Sequence, residues 1–384
     1  MSSRGCIVGI GGGGCRIVDH MAVASSSGIT TIAIDTDSKS ILNSHATTKL
    51  EIGADQTHGR GSGGDAHLGM LAARDEIEMI RNLFTGMDLV IVVAGLGCGT
   101  GSGAAPTVLR AARDAGAMAL CFATLPFDFE GERKRTQATR AIEGLQDSAD
   151  ALIVITNDKL LESVGETSVA GAFEKTDEVL GAGIYAILKA VCDAEYISVD
   201  FADLKRMIAD CGGTCVFGYG KGTGEQKGLK AVDSLCRSSF MAGGEVMANA
   251  HALFVSILGG KDLSIAEVRG IREAILAKTS NDCHVFLGTV VDETWQNQVS
   301  IAVLASEHRI SKSERETVAT DKTTAKRSAG KGDHAGKKQA KSGQTELSFE
   351  ASSKGRFKDA VPTVMDGEDF DIPTFIRRGV AMEK

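Results

Sequence analysis

The 384-residue chain is 43% hydrophobic and 24% charged, the make-up of a folded, water-soluble protein long enough for two domains and a tail. Its formal net charge of -8 argues against a nucleic-acid binder, and no apolar run reaches the roughly 20 residues that a membrane span needs. Nine cysteines, an odd number without paired spacings, suit a reducing cytoplasm better than a disulfide framework, and the close pair Cys211 and Cys215 lacks the further ligands of a zinc site.

The first unit opens at Gly5 with a short apolar strand, Cys6-Ile7-Val8, followed by Gly9-Ile10-Gly11-Gly12-Gly13-Gly14. Helical apolar spacing then runs from Cys15 to Ala24, so the pattern predicts strand, glycine turn and helix, and Gly9, Gly11 and Gly14 satisfy GxGxxG. A second strand, Thr30 to Ile34, ends in Asp35-Thr36-Asp37, where a dinucleotide-binding fold places its ribose-binding acid. This half alone fits an NAD-dependent oxidoreductase. Gly59-Arg60-Gly61-Ser62-Gly63-Gly64-Asp65 forms another turn; the N–H groups around Gly61 and Gly63 suit an anion, and Arg60 supplies charge.

The strongest signal follows. Leu89 to Ala94 is a continuous apolar run, the mark of a strand buried on both faces, and it breaks into Gly95-Leu96-Gly97-Cys98-Gly99-Thr100-Gly101-Ser102-Gly103. Ala104 to Arg113 reads as the next helix. A strand, a bare glycine turn and a helix N-terminus make a phosphate cradle, and Thr100 and Ser102 add hydroxyls. Loops that follow strands gather on one rim of a parallel sheet, so three glycine loops suit a triphosphate better than a pyrophosphate. A strand at Ala117 to Thr124, a helix with a basic start at Arg133-Lys134-Arg135, and a buried strand at Ala149 to Ile155 complete a doubly wound α/β pattern. No GxxxxGK[ST] occurs, which excludes a P-loop enzyme.

Val169 to Ala194 reads as one long central helix. Phe173 and Asp177, four apart, share its face, and an aromatic ring with a carboxylate suits guanine: stacking, plus acceptors for N1–H and the 2-amino group. Asp200 and Asp203 flank an apolar anchor at the start of the next helix, Leu204–Ala209, and such a pair can orient and polarise a water. Beyond it the pattern predicts a smaller mixed α+β domain, with strands at Ala250–Leu258, His284–Val291 and Gln298–Val303 and a helix at Leu263–Ala277. Gly218 to Gly224 reads as a structural turn or bulge. Lys312 to Lys341 is basic and nearly free of large apolar residues, which predicts a disordered linker. After it, Asp371, Ile372, Pro373, Phe375, Ile376 and Arg377 belong to a short apolar and basic peptide with the form of a docking motif.

Gly97-Cys98-Gly99-Thr100-Gly101-Ser102-Gly103 resembles the signature of the tubulin/FtsZ family, in which a glycine usually stands where Cys98 is. The order of the pieces is similar to that family from about Gly5 to Ser306 and again at Asp371–Arg378. The resemblance implies a GTP-binding domain with its central helix over residues 1–196, a C-terminal α+β domain over 197–306, a linker over 307–366 and a docking peptide over 367–384. It implies GTP as substrate with Mg²⁺, Gly11 to Gly14 and Gly99, Thr100 and Gly101 at the nucleotide, Glu130 near the ribose, and Phe173 and Asp177 at the guanine. Lys134 falls where an arginine is usual after Phe129-Glu130-Gly131. Asp200 and Asp203 would enter the neighbouring subunit, so that hydrolysis depends on head-to-tail polymerisation in the cytoplasm at the division site. The tail peptide would dock on membrane-tethering or regulatory division proteins. Cys15, Arg16 and Ser198 stand where glycine, asparagine and asparagine are typical, and the departures at Arg16, Lys134 and Ser198 leave open a divergent filament protein that binds GTP but hydrolyses it weakly. An NAD oxidoreductase is the third reading.

Overall fold

The computed structural model describes residues 3–24, 29–162, 168–192, 197–210, 213–307, 364–365 and 368–369. The chain divides into two units, Met1–Glu316 and Thr317–Lys384. In the first unit, six strands form one parallel sheet: β1 (Gly5–Ile10), β2 (Thr30–Asp35), β3 (Thr48–Glu51), β4 (Leu89–Gly95), β5 (Met118–Leu125) and β6 (Ala151–Thr156). Their order is β3-β2-β1-β4-β5-β6, so the chain reverses direction of growth between β1 and β4. The apolar run of β4 is buried on both faces. Leu89, Ile91 and Val93 enter one core, while Val90, Val92 and Ala94 enter the other.

The connecting helices are α1 (Gly11–Ala24), α2 (Ser38–Asn43), α3 (Ala54–Thr57), α4 (Ala66–Asp75), α5 (Ile77–Leu83), α6 (Gly99–Asp114), α7 (Glu132–Ser148) and α8 (Asn157–Glu162). Two of them start earlier than the sequence pattern predicts. Gly11–Gly14 and Gly99–Gly103 are the first turns of α1 and α6, so apart from Gly11, which turns the chain into α1, these glycines are helical residues that let backbones approach.

The long helix α9 (Val169–Cys192) follows, and then α10 (Phe201–Asp210). Ile184, Ile187 and Leu188 of α9 lie in one core with Phe122 of the parallel sheet and with Phe254 and Leu258 of the second sheet. That second sheet has the order β7-β10-β8-β9, from β7 (Cys215–Thr223), β8 (Ala250–Gly259), β9 (His284–Val291) and β10 (Gln298–Glu307). β10 runs antiparallel to β7 and β8, whereas β8 and β9 are parallel and joined through α13 (Ile265–Leu276). Between β7 and β8 lie α11 (Lys227–Arg237) and α12 (Glu245–Ala248). Ser264 and Glu267 start α13 with a reciprocal capping box.

Gly218 to Thr223, expected as a turn or bulge, lies inside β7. The period of two marks one strand face: a Cβ on Gly220 would lie 2.3 Å from Ala231 O, and one on Gly222 2.0 Å from Lys227 O. The bare face lets α11 lie flat on the strand, while Phe217 and Tyr219 on the other face meet α9 at Gly183. In the second unit, β11 (Val364–Met365) pairs antiparallel with β12 (Glu368–Asp369). The linker and the docking residues Asp371, Ile372, Pro373, Phe375, Ile376 and Arg377 lie outside the described residues, apart from those short strands and Glu307. Among the described residues, no helix is long and apolar enough to cross a membrane.

Candidate functional site

Open parallel sheets bind ligands beyond the carboxyl ends of their strands, at the point where strand order reverses. Here that point lies between β1 and β4, and a cleft of about 380 Å³ opens there. Gly11, Gly12 and Gly13 of α1 form one wall, and Gly99, Thr100 and Gly101 of α6 form another. Gly61 and Gly63 close the side from the loop before α4. The three glycine segments separated in sequence thus share one cleft. A wider cleft of about 860 Å³ between α4, α6 and α7 touches no strand end and is not this cradle.

Close backbone approach builds the cradle. Gly11 sits at φ +68°, and a Cβ there would lie 2.9 Å from Gly101 N, so α1 and α6 begin almost in contact. Cys98, the residue before α6, offers no side-chain acceptor to the first N–H groups of that helix. Two helix N-termini therefore direct N–H groups and positive dipole ends at one space. The loops are tied by hydroxyls: Thr100 Oγ1 lies 2.7 Å from Thr36 Oγ1 and 3.1 Å from Ser62 Oγ.

Four of the expected residues stand behind this wall. Gly14 packs against Val93 O, and Gly103 against Ala66 O of α4. Gly97 packs on the backbone of Lys134, and its N–H donates to Ser102 Oγ at 3.0 Å. These residues shape the loop and do not line the cleft. Glu130 lines it, and its carboxylate accepts from Phe127 N at 2.9 Å and from Lys134 Nζ at 2.8 Å. The hydrogen bond to Glu130 raises the Lys134 pKa, so the lysine is held as a cation beside the cleft.

At the far end of the cleft the expected base-binding pair has a third member. The Arg16 guanidinium donates to both oxygens of Asp177, from Nε to Oδ2 and from Nη2 to Oδ1, the latter at 3.3 Å. Arg16 Cζ also lies 4.6 Å from the Phe173 ring centroid, and Phe127 meets the same ring edge-on at 5.0 Å between centroids. Arg16 and Phe173 line the cleft, whereas Asp177 is 3% exposed and does not. Burial raises the Asp177 pKa, against the pull of Arg16. Asn157, 6% exposed at the end of β6, also lines the cleft, and its Oδ1 has no hydrogen-bond partner among the described residues. Sequence reasoning marked Arg16 only as a departure from the family pattern and missed Asn157 as a wall residue. The position of Asn157 directly after a predicted strand was the available signal.

Asp200 and Asp203 are elsewhere. Asp200 O accepts from Asp203 N at 2.9 Å as α10 begins, and neither residue lines the cleft. Between Phe173 at the cleft and Cys192, α9 rises roughly 29 Å at about 1.5 Å per residue. Its last turn lies beside the start of β1, where a Cβ on Gly5 would meet Leu188 and Cys192. Phe201 and Lys205 of α10 line a cleft with Gly116, Ala117 and Asp150 at the starts of β5 and β6, so α10 lies at the end of the sheet opposite to the cradle.

The described residues hold no group of three or more His, Cys, Asp or Glu side chains able to bind a metal unaided. Asp35 and Asp37 do line the cleft, and this donor set fits a Mg²⁺ ion whose remaining ligands are phosphate oxygens and water.

Residues 5–165 match the GTPase domain model of the Tubulin/FtsZ family, and residues 213–308 match the FtsZ family C-terminal domain. Cell division protein FtsZ 1 of Halobacterium salinarum is 36% identical over 301 residues, covering 78% of this chain and 75% of that protein. Cell division protein FtsZ of Haloferax mediterranei is 35% identical over 301 residues, covering 78% and 79%. An FtsZ dimer from M. jannaschii superposes with a TM-score of 0.75 at 29% identity, over 80% of this chain and 89% of that one. With its glycine-walled cleft at the strand-order reversal and both domains matched, the chain belongs to the tubulin/FtsZ family, as an FtsZ-family GTPase related to cell-division proteins.

Proposed function

We propose that this protein binds GTP in the cleft and assembles head to tail, completing its catalytic site only between two copies. The observation that supports this most is the separation of its parts: the cradle lies at one end of the parallel sheet and α10, which begins beside Asp200 and contains Asp203, lies at the other. Parts so separated meet only when a second copy stacks on the first, and a head-to-tail contact of that kind repeats into an open filament. The dimer of the M. jannaschii relative is consistent with such an assembly.

Phosphoryl transfer asks the protein mainly for positioning and charge stabilisation. The N–H groups at the starts of α1 and α6 and in the Gly61–Gly63 loop hold the phosphates and exclude bulk water. Glu130 lies toward the ribose, with Lys134 balancing its charge. Asp200 and Asp203 of the next copy orient the attacking water and accept its proton. Asp35 and Asp37 are the cleft residues that would hold a Mg²⁺ ion, which would supply further charge neutralisation when bound. The docking peptide, including Asp371, Ile372, Pro373, Phe375, Ile376 and Arg377, ties cytoplasmic filaments to membrane-bound or regulatory division proteins.

A second reading is a filament that binds GTP but turns it over slowly, and the Arg16–Asp177 pair at the base end of the cleft favours it. One experiment separates the two. GTP turnover and light scattering are followed across a protein-concentration series, with Asp203→Ala alongside. Turnover that rises with scattering above a threshold, and an Asp203→Ala protein that assembles without hydrolysis, support the shared site. Scattering without turnover in the unmodified protein supports the slow filament, and turnover independent of concentration refutes both.

A further inference from the structure

We infer that Arg16 is a specificity-determining residue that has taken Asp177 out of base recognition, so that the site reads an oxopurine without reading its 2-amino group. The inference rests on the GTP-binding reading above and deepens it. Guanine presents two adjacent donors, N1–H and the 2-amino group, and a carboxylate matches them by accepting two parallel hydrogen bonds. In this chain both Asp177 oxygens already accept from Arg16, in the side-on fork that such a carboxylate would offer to the base. The carboxylate is also nearly fully buried and absent from the cleft wall, where Arg16 stands in front of it.

Arg16 covers the stacking partner as well. Its guanidinium lies over one face of Phe173, whose edge is packed by Phe127. A base entering this end therefore meets the guanidinium before the ring, edge-on to its free N–H groups. The guanidinium has five N–H groups, two of which go to Asp177. The remaining three match acceptors, and O6 and N7 of an oxopurine are two adjacent acceptors that arginine engages as a fork. Adenine offers a donor in place of O6 and is rejected. Asn157 Oδ1, a buried acceptor without a partner on a residue that lines the cleft, suits a single donor, and N1–H is common to guanine and hypoxanthine. With Asp177 engaged, the paired carboxylate acceptors that would read the 2-amino group together with N1–H are not offered.

The test compares GTP, ITP and ATP by direct binding to the full chain, for example by calorimetry, with no reliance on turnover. ITP differs from GTP only by lacking the 2-amino group. A site that pairs that group with a free carboxylate binds ITP at least about tenfold more weakly. The expected result is GTP and ITP bound within about threefold of each other and ATP at least about tenfold more weakly. Arg16→Asn, which frees Asp177, is expected to open a gap of about tenfold or more between GTP and ITP. A tenfold preference for GTP over ITP in the unmodified protein overturns the inference and leaves the GTP site standing, as does equal binding of all three. If none of the three binds, the GTP-binding reading itself fails.

Discussion

Replacing Gly101 by alanine tests the cradle most directly, because the added methyl group has a defined obstacle. The new Cβ would lie 2.2 Å from Gly95 O and 3.2 Å from Gly95 C, both backbone atoms at the end of β4. Ordinary contact begins near 3.4 Å, so the start of α6 must move away from β4 by about 1.2 Å. Overpacking of this kind costs about 1–3 kcal/mol. Alanine recovers about 0.5–1 kcal/mol of the helix penalty of glycine, which leaves a net loss of up to about 2.5 kcal/mol. For a body of this size the melting temperature falls by up to about 5 °C. GTP affinity falls further, about 10–100-fold, because the N–H groups of the cradle move with the helix. Gly270→Ala in α13 is the matched control: nothing lies within 4 Å of its added Cβ. The same substitution there stabilises by about 0.4–1 kcal/mol. Calorimetric melting and GTP titration read both quantities. Gly101→Ala with unchanged melting and unchanged affinity, or Gly270→Ala with an equal loss, would falsify the account of the cradle as a backbone contact.

Removing Arg16 is expected to cost stability in a pH-dependent way. Burial raises the Asp177 pKa while Arg16 holds it down, so Arg16→Ala pushes it higher still. A carboxyl with a raised folded pKa destabilises the fold once the pH exceeds its unfolded value, and the penalty grows until the folded pKa is passed. Arg16→Ala should therefore lose about 1–3 kcal/mol at neutral pH, a figure kept below that of a fully buried pair by the half-exposed guanidinium. The loss should shrink as the pH falls through and below the ordinary carboxylate value of about 3.9 and the carboxyl protonates, and urea melts showing an equal loss at neutral and at low pH would contradict it. Cysteine alkylation gives a separate check on the cleft. Cys98 is exposed on its wall, whereas burial pushes the Cys6 and Cys121 thiols up to about 12. Among the described cysteines Cys98 should label first, and GTP should slow its labelling severalfold; labelling of Cys98 at the same rate with and without saturating GTP would place the nucleotide elsewhere.

The parallel sheet was legible because burial on both faces leaves a plain trace: β1, β4, β5 and β6 are short continuous apolar runs bounded by glycine or acid. Other elements leave weaker traces. β3 is Thr-Lys-Leu-Glu at the sheet edge, too short and too polar to stand out from a loop. α4 was unmarked because it packs through small residues, Gly69, Ala72 and Ala73, with Gly69 lying against Gly99 O. Alternating glycines proved ambiguous in kind. In Gly95–Gly103 they span a strand end, a turn and a helix start, while in Gly218–Gly222 the same alternation is one bare face of a strand. Glycine at every second place says that another backbone comes close, and only the fold says which.

The candidate site divides along the same line. Residues whose role is to let backbones approach are readable from a local pattern, because sequence neighbours make the turn, and Gly11–Gly13 and Gly99–Gly101 do share one cleft. Side chains that meet across the fold are not readable in this way. Arg16 and Asp177 stand 161 positions apart, and each alone looks ordinary: an exposed basic residue on α1 and an acid on a long helix. The sequence marks Arg16 as a departure from the family pattern, yet its effect depends on where the guanidinium lies. Placed in solvent, it would leave the acceptor pair for guanine intact; placed between Phe173 and Asp177, it covers the ring and occupies the carboxylate at once. The cradle can thus keep its family form while the base end changes selectivity, since the two ends of the cleft are built from different elements. Phosphate affinity comes from N–H groups that any nucleoside triphosphate satisfies. Discrimination among bases falls to a few side chains, so one arginine is enough to alter it.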